Sequence, residues 1–139
     1  MEQPLRVGQL ARATGVPTKT IRYYEQVGVL PFAPRSAVGY RQYFRHDVDR
    51  LLFVRRARAL GLPLARLRDL MAELEGGRCM TMRPRLQRLV TEQLRATQQQ
   101  IADFQALERQ LMNVLQRLEV AVPRSDASGC RCLAGMSHN

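Results

Sequence analysis

Between Leu86 and Leu118 the chain carries a pattern that a small globular domain has little room to absorb. Leu86, Val90, Gln93, Thr97, Gln100, Phe104, Leu107, Leu111, Val114 and Leu118 recur in steps of four and three. That is the spacing of a coiled-coil seam, here with a polar middle. A helix of about 35–38 residues, rising 1.5 Å per residue, is roughly 55 Å long. In a chain of 139 residues, the head that remains is too small to cover it. Folding back onto that head is one solution. A partner helix, most simply from a second copy, covers the whole seam and is the expected one.

Upstream, the apolar spacing changes character several times. Val7, Leu10, Ala11 and Ala13 mark a short first helix over 5–14, stopped by Gly15. Pro17 suits a first helical position, since its missing N–H would have no partner there. Ile21, Tyr24 and Val27 mark a second helix over 18–27, closed by Gly28. Two short helices joined by a glycine-containing turn form a helix-turn-helix. Pro31, Pro34 and Gly39 exclude a helix over 30–43, while 40-YRQYF-44 alternates like a strand. A short hairpin, or wing, with its turn near Val38-Gly39 is expected. A third helix is expected over 46–60, with Val48, Leu51, Leu52, Val54 and Leu60 inward. A fourth follows over 64–74, with Leu64, Leu67, Leu70 and Met71 inward, and Gly76-Gly77 breaks the chain. Thr81 can cap the long helix, with Pro84 in its first turn, and Pro123 ends it.

The fold class is therefore mostly α: a winged helix-turn-helix head over 1–78, a dimerisation helix over 79–122 and a tail over 123–139. Charge is distributed to match. The net charge is +10, and eleven of the 22 basic residues but only four of the 12 acidic ones lie in 1–60. A positive field concentrated on the head favours a polyanion such as nucleic acid. All the basic residues but Lys19 are arginines, which suit bidentate contacts to phosphate and guanine. The first ten residues lack an apolar signal core, and no run of 18 apolar residues occurs. A cytoplasmic location with no membrane partner is expected. No H-E-x-x-H, G-x-S-x-G or phosphate-binding glycine loop is present, so no enzyme is expected. Three cysteines, Cys79, Cys130 and Cys132, in a chain expected to be cytoplasmic argue against a disulfide framework and read as free thiols, metal ligands or redox groups.

The stretches 7-VGQLARATGV-16, 20-TIRYYEQVGVL-30 and 35-RSAVGYRQY-43 resemble the MerR family of bacterial transcription regulators. The order of helices extends the resemblance along essentially the whole chain. It implies double-stranded promoter DNA as a partner. Arg22 lies on the second helix away from Ile21 and Tyr24, within reach of a base edge or phosphate. Thr18 and Lys19 sit at that helix's N-terminus, where backbone donors and the dipole favour phosphate. Tyr23 offers a phenolic hydroxyl. Arg35, Tyr40 and Arg41 resemble the family's backbone clamps on the wing, and Arg56 on the third helix is a further candidate. Tyr24 and Tyr43 read as packing residues.

Cys79 precedes the long helix, and Cys130 and Cys132 follow it. Within one chain they are too far apart to share a site. If two copies pair antiparallel, Cys79 of one meets Cys130 and Cys132 of the other, and the resemblance implies this arrangement in the family's metal sensors. Cys at the start of the dimerisation helix resembles sensors of soft divalent ions. Thiolate is soft and selects Hg(II), Pb(II), Cd(II) or Zn(II) over Mg(II) or Ca(II). Three thiolates favour Hg(II), Pb(II) or Cd(II). Zn(II) would need a fourth ligand from water, Asp126 or a histidine. The chain departs from the family pattern near the end of the long helix, where Val114, Val120 and Ala121 leave no thiol. The resemblance also implies a homodimer that represses without metal and, with it, distorts the promoter for RNA polymerase. The same thiols used without metal describe a redox or electrophile sensor, the alternative reading.

Overall fold

The computed structural model describes residues 3–120. Among them are five helices: α1 (Val7–Thr14), α2 (Thr18–Val27), α3 (Arg45–Ala59), α4 (Leu64–Glu75) and α5 (Cys79–Val120). They form two compact units, one ending at Gln93 and one beginning at Leu94.

In the first unit, α1 packs on both α2 and α3, and α3 packs on α4. The α1–α2 joint depends on Gly15, whose φ of 73° is a left-handed conformation that costs a residue with a Cβ. A Cβ there would stand 2.7 Å from Arg55 Nη1. Arg55 Nη1 itself donates to the Thr14 carbonyl at 2.7 Å, satisfying a helix-end acceptor of α1. Thr14 is buried, and its hydroxyl donates to the Leu10 carbonyl at 2.8 Å. Leu10, Ile21, Val29, Leu51, Val54 and Leu67 are essentially inaccessible and form the centre of the core. Each such aliphatic side chain contributes about 1.5–3 kcal/mol through burial.

Several details differ from the sequence expectation. Pro17 is the residue before α2, with extended backbone, instead of its first helical residue. Leu60 is exposed at the C-terminal cap of α3, because the α3–α4 joint turns there and buries Leu62 instead. The wing has no continuous strands; isolated bridges Leu5–Tyr43 and Arg35–Arg41 hold it. Its turn is longer than Val38-Gly39. The Gly39 N–H donates to the Ser36 carbonyl at 2.9 Å, and the Ser36 N–H donates to the Tyr40 carbonyl at 2.7 Å.

The start of α5 also differs. The helix begins at Cys79, so Thr81 lies inside its first turn and Pro84 lies within the helix. Thr81 Oγ1 donates to the Arg78 carbonyl at 3.0 Å. Met82, Leu86 and Leu89 pack against the core, and Arg85 pairs with Glu73 of α4 at 2.6 Å. A Cβ on Gly61 would lie 2.6 Å from Gln93 Nε2. The first seam members, Leu86 and Gln93, thus contact the head. The second unit is the rest of α5. Phe104 is 70% exposed and Leu111 is 61% exposed, and Ile101, Leu107 and Leu115 are also accessible. No residue of α5 is buried. Among the described residues, no helix is long and apolar enough to cross a membrane.

Candidate nucleic-acid interface and the thiols

The helix-turn-helix and the wing enclose an open cleft of about 860 Å³, entirely within the first unit. Arg22, Arg35, Tyr40 and Arg41, four of the eight expected DNA contacts, line it. Each arrives by a different route. Arg22 stands on the exposed face of α2, opposite the buried Ile21, Tyr24 and Glu25. Arg35 opens the wing turn and donates from Nη1 to the Gly39 carbonyl at 3.2 Å. Tyr40 closes that turn and is about half exposed.

Arg41 has a second engagement. Its Nη1 lies 3.4 Å from Glu25 Oε2, and the Glu25 side chain is only 1% exposed. The Tyr43 hydroxyl donates to the other oxygen, Glu25 Oε1. A carboxylate buried this deeply needs both partners. Glu25, Arg41 and Tyr43 therefore lock the wing onto α2. Burial, and then the adjacent carboxylate, push the Tyr43 hydroxyl up to about 12.

The other four expected contacts do not line the cleft. Lys19, Tyr23 and Arg56 are exposed and Thr18 is half-buried. The Tyr23 and Tyr24 rings are 6.3 Å apart; Tyr24 and Tyr43 are buried, as their reading as packing residues requires. The cleft also holds Arg6, Gln9 and Arg12, which the sequence reading passed over. Arg6 Cζ lies 4.4 Å from the centroid of the Tyr40 ring. A signal was present: Arg6 precedes the first helix and Arg12 lies in its last turn, in a segment with no acidic residue between Gln3 and Tyr24. Their convergence on the wing is tertiary.

Cys79 is exposed and free, on the first residue of α5. Cys130 and Cys132 lie outside the described residues. Among the described residues, no group of three His, Cys, Asp or Glu side chains could hold a metal.

Residues 5–74 match the MerR HTH family regulatory protein family, and residues 48–114 match the family described as MerR, DNA binding. The chain is 34% identical over 114 residues to the mercuric resistance operon regulatory protein of Bacillus cereus, covering 81% of this chain and 83% of that protein. It is 33% identical over 112 residues to the HTH-type transcriptional regulator ZntR of Escherichia coli K12, covering 78% and 77%. The transcription regulator PbrR691 of Ralstonia metallidurans CH34, solved in complex with lead(II), superposes with a TM-score of 0.69 at 27% identity, covering 96% of this chain and 99% of that one. With its helix-turn-helix, its arginine-lined cleft and its long final helix, this chain belongs to the MerR family of transcription regulators.

Proposed function

We propose that the protein is a metal-responsive switch on promoter DNA, working as a homodimer in the cytoplasm. The observation that carries this reading is the position of Cys79: an exposed thiol at the first residue of a helix whose apolar residues beyond Gln93 are largely exposed. Covering the seam with an antiparallel second copy brings Cys79 of one protomer toward Cys130 and Cys132 of the partner subunit. Two equivalent sites result. Residues 1–78 serve as the DNA-binding head, 79–122 as the dimerisation helix and 123–139 as the loop that completes each site.

Three thiolates form a soft, anionic donor set, which suits Hg(II), Pb(II) or Cd(II), with Zn(II) requiring a further ligand. The mercuric resistance relative and the neighbour solved with lead(II) support an ion of this class. On DNA, Arg22 reaches the base edges or backbone from α2. Thr18, Lys19, Tyr23, Arg35, Tyr40, Arg41 and Arg56 surround the phosphates. Metal binding acts through its different affinity for two dimer states. The apo state represses. The metal-bound state shifts the two heads, bends and undertwists the promoter and lets RNA polymerase initiate.

The test is a footprint. Apo protein on its own promoter is titrated with Hg(II), Pb(II), Cd(II), Zn(II) and Cu(I). Protection in the apo state, with new cleavage at the centre of the site only for soft divalent ions, is expected. An identical footprint with and without every ion overturns the switch and leaves a constitutive DNA binder.

A further inference from the structure

We infer that Arg6, stacked on Tyr40, forms a phosphate clasp that belongs neither to the recognition helix nor to the wing alone; this rests on the DNA-binding reading of the cleft. Arg6 comes from the segment before α1 and Tyr40 from the wing. The pairing of Leu5 with Tyr43, with backbone hydrogen bonds of 2.6 and 2.9 Å, brings the two segments together. The Arg6 N–H donates to Gln9 Oε1 at 2.9 Å, which fixes the backbone where α1 begins. The guanidinium then lies over the Tyr40 ring, 4.4 Å from its centroid.

A guanidinium stacked on an aromatic ring engages its partner through its face, so its edge remains available to a ligand. That edge carries the N–H fork that matches a phosphate diester in a bidentate manner. The ring holds the cation in one orientation, so less side-chain freedom is lost on binding. The surroundings select an anion. Arg12, Arg22 and Arg35 line the same cleft, and the nearby carboxylate of Glu25 is buried and already engaged by Arg41 and Tyr43. The ligand is one backbone phosphate of duplex DNA, bound without regard to base sequence.

The test uses the full-length protein and an operator duplex enriched from a random-sequence pool. Affinity is measured across a salt series for wild type, Arg6→Ala, Tyr40→Leu and the double variant. Arg6→Ala should bind about fivefold more weakly, and the slope of log K against log salt should flatten by about 0.9, the loss of one phosphate contact. The Tyr40→Leu loss should shrink at least about threefold when Arg6 is already alanine, because the two act as a pair. Arg6→Lys should restore the slope but not the affinity, since a lysine keeps the charge without the planar fork. An Arg6→Ala variant with wild-type affinity and slope overturns the clasp while leaving the DNA reading intact. Additive losses in the double variant overturn the stack. A wild-type protein without salt-dependent duplex binding overturns both readings.

Discussion

The Tyr43 hydroxyl donates to Glu25 Oε1 across the joint between wing and α2, while Arg41 approaches the same carboxylate from the other side at 3.4 Å. The wing's placement against α2 therefore depends on a buried carboxylate. Removing one donor leaves the charge under-satisfied. Tyr43→Phe should cost about 1–3 kcal/mol of stability, read by urea unfolding.

The burial of Tyr43, and then its contact with Glu25, gives a pH signature. Tyr43 is held at about 12 against an ordinary 10.0. The folded state thus retains a proton that the unfolded chain releases. The stabilisation is complete below about pH 10 and is lost as pH rises toward about 12. Comparing unfolding of the wild type and Tyr43→Phe from pH 9 to 12 should show the difference between them shrinking across this window. A constant difference would contradict the assignment.

Gly15→Ala should destabilise the head by roughly 1–2 kcal/mol, because its φ of 73° is left-handed and a Cβ meets Arg55 Nη1 at 2.7 Å. Arg55 would have to leave the Thr14 carbonyl to make room. Thermal melting of the variant against wild type measures this.

Arg22→Ala should weaken operator binding by about 1–3 kcal/mol with the fold unchanged by circular dichroism. Arg22 is exposed on α2, so its loss leaves the buried core of the head intact. Equal affinity for the variant would remove Arg22 from the interface.

Much of the fold was legible because local signals and core spacing agreed. Gly15 and Gly28 end α1 and α2 as read, and Ile21, Leu51, Val54, Leu67 and Leu70 are buried as their periodicity implies. Legibility failed where tertiary contacts decide. Arg41 reads from sequence as a backbone clamp on the wing, yet it also pairs with Glu25, 16 positions earlier on another element. Arg6 gains its place only when Leu5 pairs with Tyr43. Gln93 fits a seam by spacing but packs beside Gly61, since helical periodicity cannot say which body a face meets. Leu60 fits the inward face of α3 but falls at the turn that ends it. Of the thiols, Cys79 is exposed at the start of α5, and the proposed site with Cys130 and Cys132 requires a second chain.

The seam's second half has a direct test. Leu107 is 45% exposed and Leu111 is 61% exposed in the single chain, so both are available to a partner helix. Leu107→Asp with Leu111→Asp places charges in that interface and should yield monomers that no longer bind the operator. Sedimentation equilibrium at micromolar concentration reads the outcome. A wild-type monomer under the same conditions would contradict the dimer.

The central claim is a metal site shared between protomers, and mixed dimers test it most directly. One population carries Cys79→Ser, the other Cys130→Ser with Cys132→Ser. Alone, each should lack high-affinity Hg(II) binding and its thiolate charge-transfer absorption. Mixed and re-equilibrated, the heterodimers should regain one site, with proton release on binding because the ligands are thiolates. Heterodimers that demonstrably form yet regain no site would contradict the shared geometry.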